Sequence, residues 1–399
     1  ISLATTMVAA SMCAFAAPAT ADFETPVNFA VGTGPADLEA ADFNGDRLPD
    51  VAVANKTSNT VSVLLGSPIS QFTPAVNYST GASTGPGSIT VLDIQRNGRD
   101  DVVTGNQTSG NLSQMFGNGL GALGNAVTLT ATGGVGAVWS DDINGDPAPD
   151  LVYTNPTGAT MSRRINTSGA FAAAGTTAVG GAPDGSVAQD GNRDGVVDAV
   201  GADSGSNNVS LLLNNGSGTF GVANNFTVGT TPDFLDVGDF NGDRAWDFVT
   251  ANSGSNNVTI RLGNGAGSFG VATNFAVGSL PSHVHAADFN SDGIDDLIVT
   301  NRGSNTVSEL LGVGNGTFGA AETYAVGTSP SAVDTSDVNQ DGWIDLLVTN
   351  SGDATMSLLL NEGPTPSASP TSLAFGTQAQ GTLSSSQTVQ IDNSSSGFP

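Results

Sequence analysis

The sequence predicts an all-β fold, a seven-bladed β-propeller whose blades have four strands each. Short apolar runs alternate with turns rich in Gly, Asn and Ser, and Gly alone supplies 53 of the 399 residues. This composition is typical of chains built from many short strands. In addition, an acidic nine-residue motif recurs at a nearly constant interval, and the two ends of the repeated region carry complementary parts of one repeat.

The acidic motif has the form D-x-N-x-D-x-x-x-D, as in residues 239–247. Its seven copies start 48 to 51 residues apart, at Asp42, Asp93, Asp142, Asp190, Asp239, Asp288 and Asp337. A period near 50 residues with several strands in each unit indicates a propeller rather than a helical solenoid. We number the blades 1 to 7 after these copies.

Four strand-like runs make up each unit. The first precedes the acidic motif, as in 332–335, and the second follows it, as in 346–349. A polar turn leads to a third run, as in 307–311, and a Gly-rich turn leads to a fourth, as in 322–326. Seven such units predict seven four-stranded blades.

The ends of the repeated region predict how the ring closes. Residues 27–32 match the fourth run of a unit (compare 274–278) but lack the three runs before it, whereas the last unit ends with its third run at 357–360. We therefore expect the N-terminal strand to complete the last blade, which would remove two open sheet edges.

The chain divides into four predicted regions. Residues 1–21 are uncharged, apolar and end in Ala-Thr-Ala, which indicates a truncated secretory signal peptide. Residues 22–363 form the propeller, and 364–371 form a Pro/Ser linker. Residues 372–399 contain two strand-like runs that resemble the opening of an abnormal-spindle/Hydin-type immunoglobulin-like domain. The single cysteine, Cys13, lies in the leader, so metal ions rather than disulfides would stabilise the mature chain.

The spacing of the acidic motif suits a calcium ion. Calcium takes about six to eight oxygen ligands in a flexible shell, and a tight loop can supply them from side chains at positions 1, 3, 5 and 9 and a carbonyl at position 7. Magnesium demands stricter geometry, and zinc favours His and Cys, which the motifs lack. A turn without a metal is the alternative, because Asp, Asn and Gly favour turns for local reasons. Repetition at a fixed period favours calcium.

These features resemble the FG-GAP (VCBS-type) repeat family, the seven-bladed propeller of integrin α-chain heads and of many bacterial secreted proteins. The Phe-Gly pairs lie at 220–221, 269–270 and 318–319, a Gly-Ala-Pro triplet lies at 181–183, and the resemblance covers about 340 residues. It implies about six Ca²⁺ sites. The implied side-chain ligands are Asp42, Asn44, Asp46, Asp50, Asp142, Asn144, Asp146, Asp150, Asp190, Asn192, Asp194, Asp198, Asp239, Asn241, Asp243, Asp247, Asp288, Asn290, Asp292, Asp296, Asp337, Asn339, Asp341 and Asp345. The implied carbonyl ligands belong to Leu48, Ala148, Val196, Ala245, Ile294 and Trp343.

Two loops depart from the pattern. The blade 2 loop, which begins at Asp93, has lost one carboxylate and gained Arg96 and Arg99, so we predict weak or no calcium binding there. In blade 3, Pro147 occupies position 6. Because proline fixes φ near −65°, we expect a left-handed conformation to be barred at this position.

The charge balance excludes some functions. The net charge is −27 with only 10 Lys and Arg, whereas nucleic-acid binding needs a basic surface. More than half of the 37 acidic residues lie in the loops. No segment after the leader is long and apolar enough to predict a membrane span.

Catalytic or cofactor-binding residues are not predicted, because the mature chain would have no cysteine and only two histidines, His283 and His285. Aligning the first strands places one equivalent residue of each blade on one face, which we expect to line the central channel. These residues, the channel ring, are Glu39, Thr90, Trp139, Val187, Asp236, His285 and Asp334. A solvated lining is the favoured interpretation, and an axial site for a small ligand is the alternative.

The resulting functional prediction is a secreted or cell-surface calcium-binding propeller that acts as a monomeric, non-catalytic adhesion or interaction module. Its partner would be an extracellular protein or a glycan. A lectin-like propeller is one alternative, although the chain has only 3 Trp and 3 Tyr for the aromatic platforms of sugar pockets. A polysaccharide lyase is the other alternative, although no base and cation cluster is evident.

Overall fold

A computed structural model describes residues 21, 23–69, 71–131, 134–363, 367–369 and 390–392. Every regular element in these ranges is a β-strand, so the predicted all-β class is confirmed. None of the described segments is a helix that could cross a membrane. The predicted signal peptide (except Ala21), linker and immunoglobulin-like fragment fall outside the described residues, apart from a short antiparallel pair within the last two regions.

Seven four-stranded antiparallel sheets form the blades, as predicted. The strands through blade 3 are β1 (Val27–Ala30), β2 (Pro35–Ala41), β3 (Asp50–Asn55), β4 (Thr60–Leu64), β5 (Gly66–Ser67), β6 (Gln71–Phe72), β7 (Val76–Ser79), β8 (Pro86–Leu92), β9 (Asp101–Asn106), β10 (Asn111–Met115), β11 (Val127–Leu129), β12 (Val138–Asp141), β13 (Asp150–Asn155), β14 (Thr160–Arg164) and β15 (Gly175–Ala178).

The remaining described strands complete blades 4 to 7 and the C-terminal pair. They are β16 (Pro183–Gln189), β17 (Asp198–Asp203), β18 (Asn208–Leu212), β19 (Asn224–Thr227), β20 (Pro232–Gly238), β21 (Asp247–Asn252), β22 (Asn257–Arg261), β23 (Thr273–Ala276), β24 (Pro281–Ala287), β25 (Asp296–Asn301), β26 (Thr306–Leu310), β27 (Glu322–Ala325), β28 (Pro330–Ser336), β29 (Asp345–Asn350), β30 (Thr355–Leu359), β31 (Ser367–Ser369) and β32 (Gln390–Asp392).

The N-terminal strand closes the ring. Blade 7 has the strand order β1-β30-β29-β28, and β1 pairs antiparallel with β30, with Val27 opposite Leu358. The ring of Phe23, just before β1, lies edge-to-face on Phe289 and Tyr324. The two ends of the repeated region are therefore joined through a shared sheet, as the sequence predicts.

The core lies between the blades. The second strand of every blade is buried along its whole length, because its two faces pack against the two neighbouring blades. One cluster, for example, joins Val53 of blade 1 to Leu347 and Met356 of blade 7. Burial of these apolar faces is the main force that holds adjacent blades together.

Each blade also contains a buried polar connection across its strands. The last residue of the second strand is Asn in six blades, and its Nδ2 donates to a Ser or Thr hydroxyl of the third strand at 2.7–2.9 Å. In blade 7 the hydroxyl of Ser357 then donates to Oδ1 of Asn28 in β1 at 2.7 Å. In blade 5 the hydroxyl of Thr259 donates in the same way to Asn274 in the fourth strand. The closing strand β1 therefore makes the contact that a fourth strand makes in a continuous blade.

Candidate metal loops and the central channel

The acidic motifs form tight loops between the first and second strands of each blade. In blade 5, Asp239 Oδ1 accepts hydrogen bonds from the backbone N–H groups of Gly242 and Asp243 at 2.8 and 3.1 Å. Asn241 Oδ1 accepts from Asp243 at 2.9 Å, and Asp243 Oδ1 accepts from the N–H of Ala245 at 2.6 Å. The structure therefore brings the side chains of positions 1, 3 and 5 together in one turn.

Positions 4 and 6 of every loop have left-handed backbone conformations. The position-4 residues, with φ between 55° and 81°, are Gly45, Arg96, Gly145, Arg193, Gly242, Ser291 and Gln340. The position-6 residues are Arg47, Gly98, Pro147, Gly195, Arg244, Gly293 and Gly342. Each loop has Gly at one of the two positions, where its freedom at positive φ removes the steric cost.

Pro147 corrects one expectation. The prediction that proline would bar a left-handed conformation is wrong, since Pro147 has a φ of 37°. The hydrogen bonds from Gly145 and Asp146 to Asp142 Oδ1 hold the turn in the common shape. However, proline has no N–H, so this loop lacks the position-6 hydrogen bond that Arg244 donates to Asp239 Oδ2 in blade 5.

The position-9 carboxylates are fully buried at the base of the loops. In every blade, Oδ1 accepts a backbone N–H from the residue 16 positions later, at 2.6–2.8 Å. In blades 2 to 7, Oδ2 accepts the N–H of the loop's second residue at 2.8–3.3 Å. In blade 1, the buried Oδ2 of Asp50 has no hydrogen-bond partner among the described residues. A carboxylate oxygen that accepts one N–H retains a second lone pair for a cation.

Charge repulsion accumulates within each loop. Burial, and then the nearby carboxylates of Asp243 and Asp239, raise the pKa of Asp247 to about 6. The same causes raise the pKa of Asp345 to about 6, with Asp341 and Asp337 as the neighbours. The pKa of Asp296 rises to about 8, again mainly through burial. These like charges lie close enough to oppose one another, and a divalent cation would relieve the repulsion.

The donor set fits calcium in chemistry, although the carboxylates do not converge on a point. Within the described ranges, no three His, Cys, Asp or Glu side chains are grouped closely enough to hold a metal ion. The proposed shell also draws on Asn and carbonyl oxygens. The blade 2 loop makes similar turns, with Asp93 accepting from Asn97 and Gly98, although it lacks the full donor set. The loop shape itself is therefore a property of Asx turns and does not require an ion.

The central channel has a volume of about 950 Å³ and is lined by the first strands. The channel ring faces it, as predicted. Of the neighbouring residues, Leu235 and Val284 pack between blades, and Leu38 packs there but also lines the channel. His285 Nδ1 lies 3.2 Å from Asp236 Oδ2, and its Nε2 lies 3.1 Å from the hydroxyl of Thr335. The ring position was correctly assigned from the strand alignment.

The sequence did not predict that the channel carboxylates also bridge neighbouring blades. Asp236 accepts the N–H of Ala286 in blade 6 at 2.9 Å, and Asp334 accepts that of Ala40 in blade 1 at 2.8 Å. Two residues before the channel ring, Asp37 accepts the N–H of Ile89 at 3.0 Å, and burial raises its pKa to about 7. The alternation of the strands could have identified Asp37, because residues two apart share a face.

Comparison with a library of protein families identifies an FG-GAP-like repeat. The family profile matches residues 42–104, 239–299 and 288–348, which cover the acidic loops of blades 1, 2, 5, 6 and 7. A comparison with curated proteins gave no match.

Among solved structures, several propellers have a similar fold. One is the BBS1N protein in complex with ARL6DN, with a TM-score of 0.61, 9% identity, and coverage of 86% of this chain and 97% of that one. A virginiamycin B lyase from Staphylococcus aureus with quinupristin has a TM-score of 0.59, 13% identity, and coverage of 85% and 99%. An Agrocybe aegerita lectin that recognises terminal N-acetylglucosamine has a TM-score of 0.50, 16% identity, and coverage of 82% and 96%. At these identities the likeness shows the fold alone.

Proposed function

Since this chain is a seven-bladed β-propeller with FG-GAP-like repeats, we propose that it is a calcium-binding, extracellular, non-catalytic interaction module. One observation carries the calcium assignment. Six loops each place three carboxylates and an asparagine in a single nine-residue turn, and in each of them the buried position-9 carboxyl has a raised pKa next to its neighbours' charges. A divalent cation is the partner that this arrangement favours.

In each loop, the ligands would be the side chains at positions 1, 3, 5 and 9 and the carbonyl at position 7. In blade 5 these are Asp239, Asn241, Asp243, Asp247 and Ala245. When bound, calcium would supply positive charge that links the end of the first strand to the start of the second. The residues of the chain orient the carboxylates through the Asx hydrogen bonds and exclude water from position 9 through its burial.

Isothermal titration calorimetry of the calcium-stripped protein tests the assignment. We expect about six binding sites, with dissociation constants in the range of roughly 10⁻⁴ to 10⁻³ M that is common in extracellular modules. Asp243→Ala in blade 5 should reduce the stoichiometry by one site, because it removes a carboxylate ligand.

Asn97→Ala is the matched control, because it changes the same loop position in blade 2, where we predict weak or no binding. Its stoichiometry should equal that of the wild type. The assignment would be refuted if injections of calcium and of buffer alone gave identical heats. A loss of one site in both variants would also refute it.

The interaction role rests on the fold and on the sequence. Propellers of this shape include a protein solved in complex with a partner and a sugar-recognising lectin, and an apolar leader indicates export. A glycan array probed with the calcium-loaded protein distinguishes a lectin from a protein-binding module. Release of unsaturated sugars from polysaccharides, followed by absorbance, would instead support the lyase alternative.

A further inference from the structure

At the level of the channel ring, the central channel has two chemically different walls. Four adjacent blades contribute the charged members of the channel ring, and the other three blades contribute neutral ones. The charged members are Asp236, His285, Asp334 and Glu39, and the neutral ones are Thr90, Trp139 and Val187. In a closed ring of seven, blade 3 lies across the axis from blades 6 and 7. The indole of Trp139 is therefore on the wall opposite His285 and Asp334.

The carboxylates on the charged wall are short of cationic partners. Among the described residues, this wall contains one ion pair, between His285 and Asp236. Glu39 and Asp334 each accept a backbone N–H from the neighbouring blade, at 3.0 and 2.8 Å. Burial, the largest cause, raises the pKa of both carboxyls. The charge of Asp334 also raises the pKa of Glu39 and of Asp37.

Two other basic residues, Lys56 and Arg302, also line the channel. Lys56 donates from Nζ to Gln107 Oε1 at 2.5 Å, and its charge lowers the pKa of Asp184. Arg302 has the same effect on Asp233. Both effects are smaller than that of burial, which raises the pKa of each of these two carboxyls. The carboxyls of blades 5, 7 and 1 that line the channel outnumber Lys56, Arg302 and His285, so these cations leave an excess of negative charge.

Two unpartnered polar groups give an independent indication of a ligand. His283 and Trp139 both line the channel and are only 9% exposed. Neither His283 Nδ1 nor Trp139 Nε1 has a hydrogen-bond partner within the described ranges. The imidazole of His283 stacks on Phe234 with ring centroids 3.7 Å apart. Buried polar atoms without partners are uncommon in folded proteins, and an ordered water or ion is one of the explanations for them.

We propose that the channel binds a small organic cation, an ammonium group carried on an apolar body, with Glu39, Asp236 and Asp334 balancing its charge. The Trp139 indole and the stacked Phe234 and His283 rings contact the body of the ligand. Aromatic faces attract ammonium groups, most strongly where water is excluded. This site is separate from the calcium loops and does not depend on them.

Choline is a suitable probe, and dimethylbutanol, in which carbon replaces the ammonium nitrogen, is its uncharged counterpart. Both are titrated into the calcium-saturated protein by calorimetry and by tryptophan fluorescence. We expect choline to bind and to change the Trp139 emission, and the alcohol to bind at least about tenfold more weakly, which corresponds to about 1.4 kcal/mol. Equal binding of the two probes, or no binding of choline, overturns the proposal.

Variants then locate the site. Asp236→Asn combined with Asp334→Asn removes both charges and keeps one carbonyl oxygen at each position to accept the N–H of Ala286 or of Ala40. It should weaken choline binding about tenfold or more. Trp139→Leu should weaken binding and remove the emission change.

Glu24→Gln combined with Glu322→Gln removes the same charge from exposed positions and should bind choline like the wild type. If this control weakens binding as much as the channel variant, the effect is one of net charge, and the proposal fails. Melting curves of each variant identify any loss of folding, in which case the comparison of the two probes on the wild type decides.

Discussion

At the scale of single residues, one buried position differs in chemistry among the blades. Six blades end their second strand with Asn, but blade 4 has Asp203, which is fully buried. The hydroxyl of Ser210 lies 2.6 Å from Asp203 Oδ2 and 2.8 Å from Asn225 Oδ1. A hydroxyl has one proton and cannot donate to both acceptors. Elsewhere, the Asn amide donates to the hydroxyl, which is then free to donate onward.

Asp203→Asn is therefore expected to stabilise the protein by about 1–2 kcal/mol at neutral pH. Burial raises the pKa of Asp203 from 3.8 to about 6, so the folded state binds this proton more tightly than the unfolded state, and wild-type stability falls as pH rises between these values. The gain should be complete above about pH 6 and vanish below about pH 4. Chemical denaturation across this pH range measures it.

Asn252→Asp in blade 5 is the matched reverse substitution, because Asn252 donates to Thr259 in the equivalent position. It should destabilise the protein above about pH 6. A gain from this variant, or a gain from Asp203→Asn that does not depend on pH, would contradict the proposed competition for one proton.

Pro147 is a second residue whose local chemistry conflicts with its place. Its φ of 37° is far from the value near −65° that the proline ring prefers. Pro147→Gly should raise stability by about 1 kcal/mol, because it removes this strain and provides an N–H for Asp142. Thermal melting compares it with Arg244→Gly, where the N–H is already present. A smaller increase for Pro147→Gly than for Arg244→Gly would argue against strain at Pro147.

At the scale of elements, the strand β1 is the one on which closure depends. Phe29 in β1 packs edge-to-face on Phe72 of blade 1, with centroids 5.3 Å apart, and belongs to the cluster that joins blades 7 and 1. Phe226 in β19 has the corresponding place in blade 4 and contacts Phe269. The two strands have the same role in their blades. However, β19 follows its partner β18 directly along the chain, whereas β1 and its partner β30 lie at opposite ends of the repeated region.

Phe29→Ala should lower stability by about 2 kcal/mol or more and release β1 from blade 7. Hydrogen exchange is expected to accelerate at residues 27–30 and along the exposed edge of β30. Phe226→Ala, which removes a similar contact, should cost a comparable free energy but leave exchange in β1 unchanged. Unaltered protection of β1 in Phe29→Ala would show that its backbone pairing alone closes the ring.

At the scale of the whole molecule, calcium bound at the six predicted loops would act on one cooperative ring. A ligand that binds only the folded state stabilises it by about 1.4 kcal/mol per site when its concentration is about tenfold above Kd. Six sites together would therefore dominate the stability of this disulfide-free chain. Differential scanning calorimetry in calcium and in EDTA should give a much lower Tm in EDTA, and magnesium should restore it less well than calcium. A Tm that EDTA does not change would mean that the Asx turns hold the loops alone.

The sequence by itself determined the repeated architecture. Period, strand alternation and the split repeat at the two ends depend on local patterns of apolar and turn residues, so blade number, strand order, closure by residues 27–30 and the channel ring could all be predicted. The loop residues could be identified for the same reason. Calcium binding at those loops stays a prediction.

Contacts between residues far apart in the chain were decided only by the tertiary structure. The hydrogen bond that the N–H of Ala40 donates to Asp334 joins positions 294 residues apart. The two walls of the channel form only when seven blades meet around one axis. The burial of Asp203 likewise depends on packing that no local pattern encodes. Local periodicity fixes the elements, whereas long-range packing fixes which polar groups are left without partners.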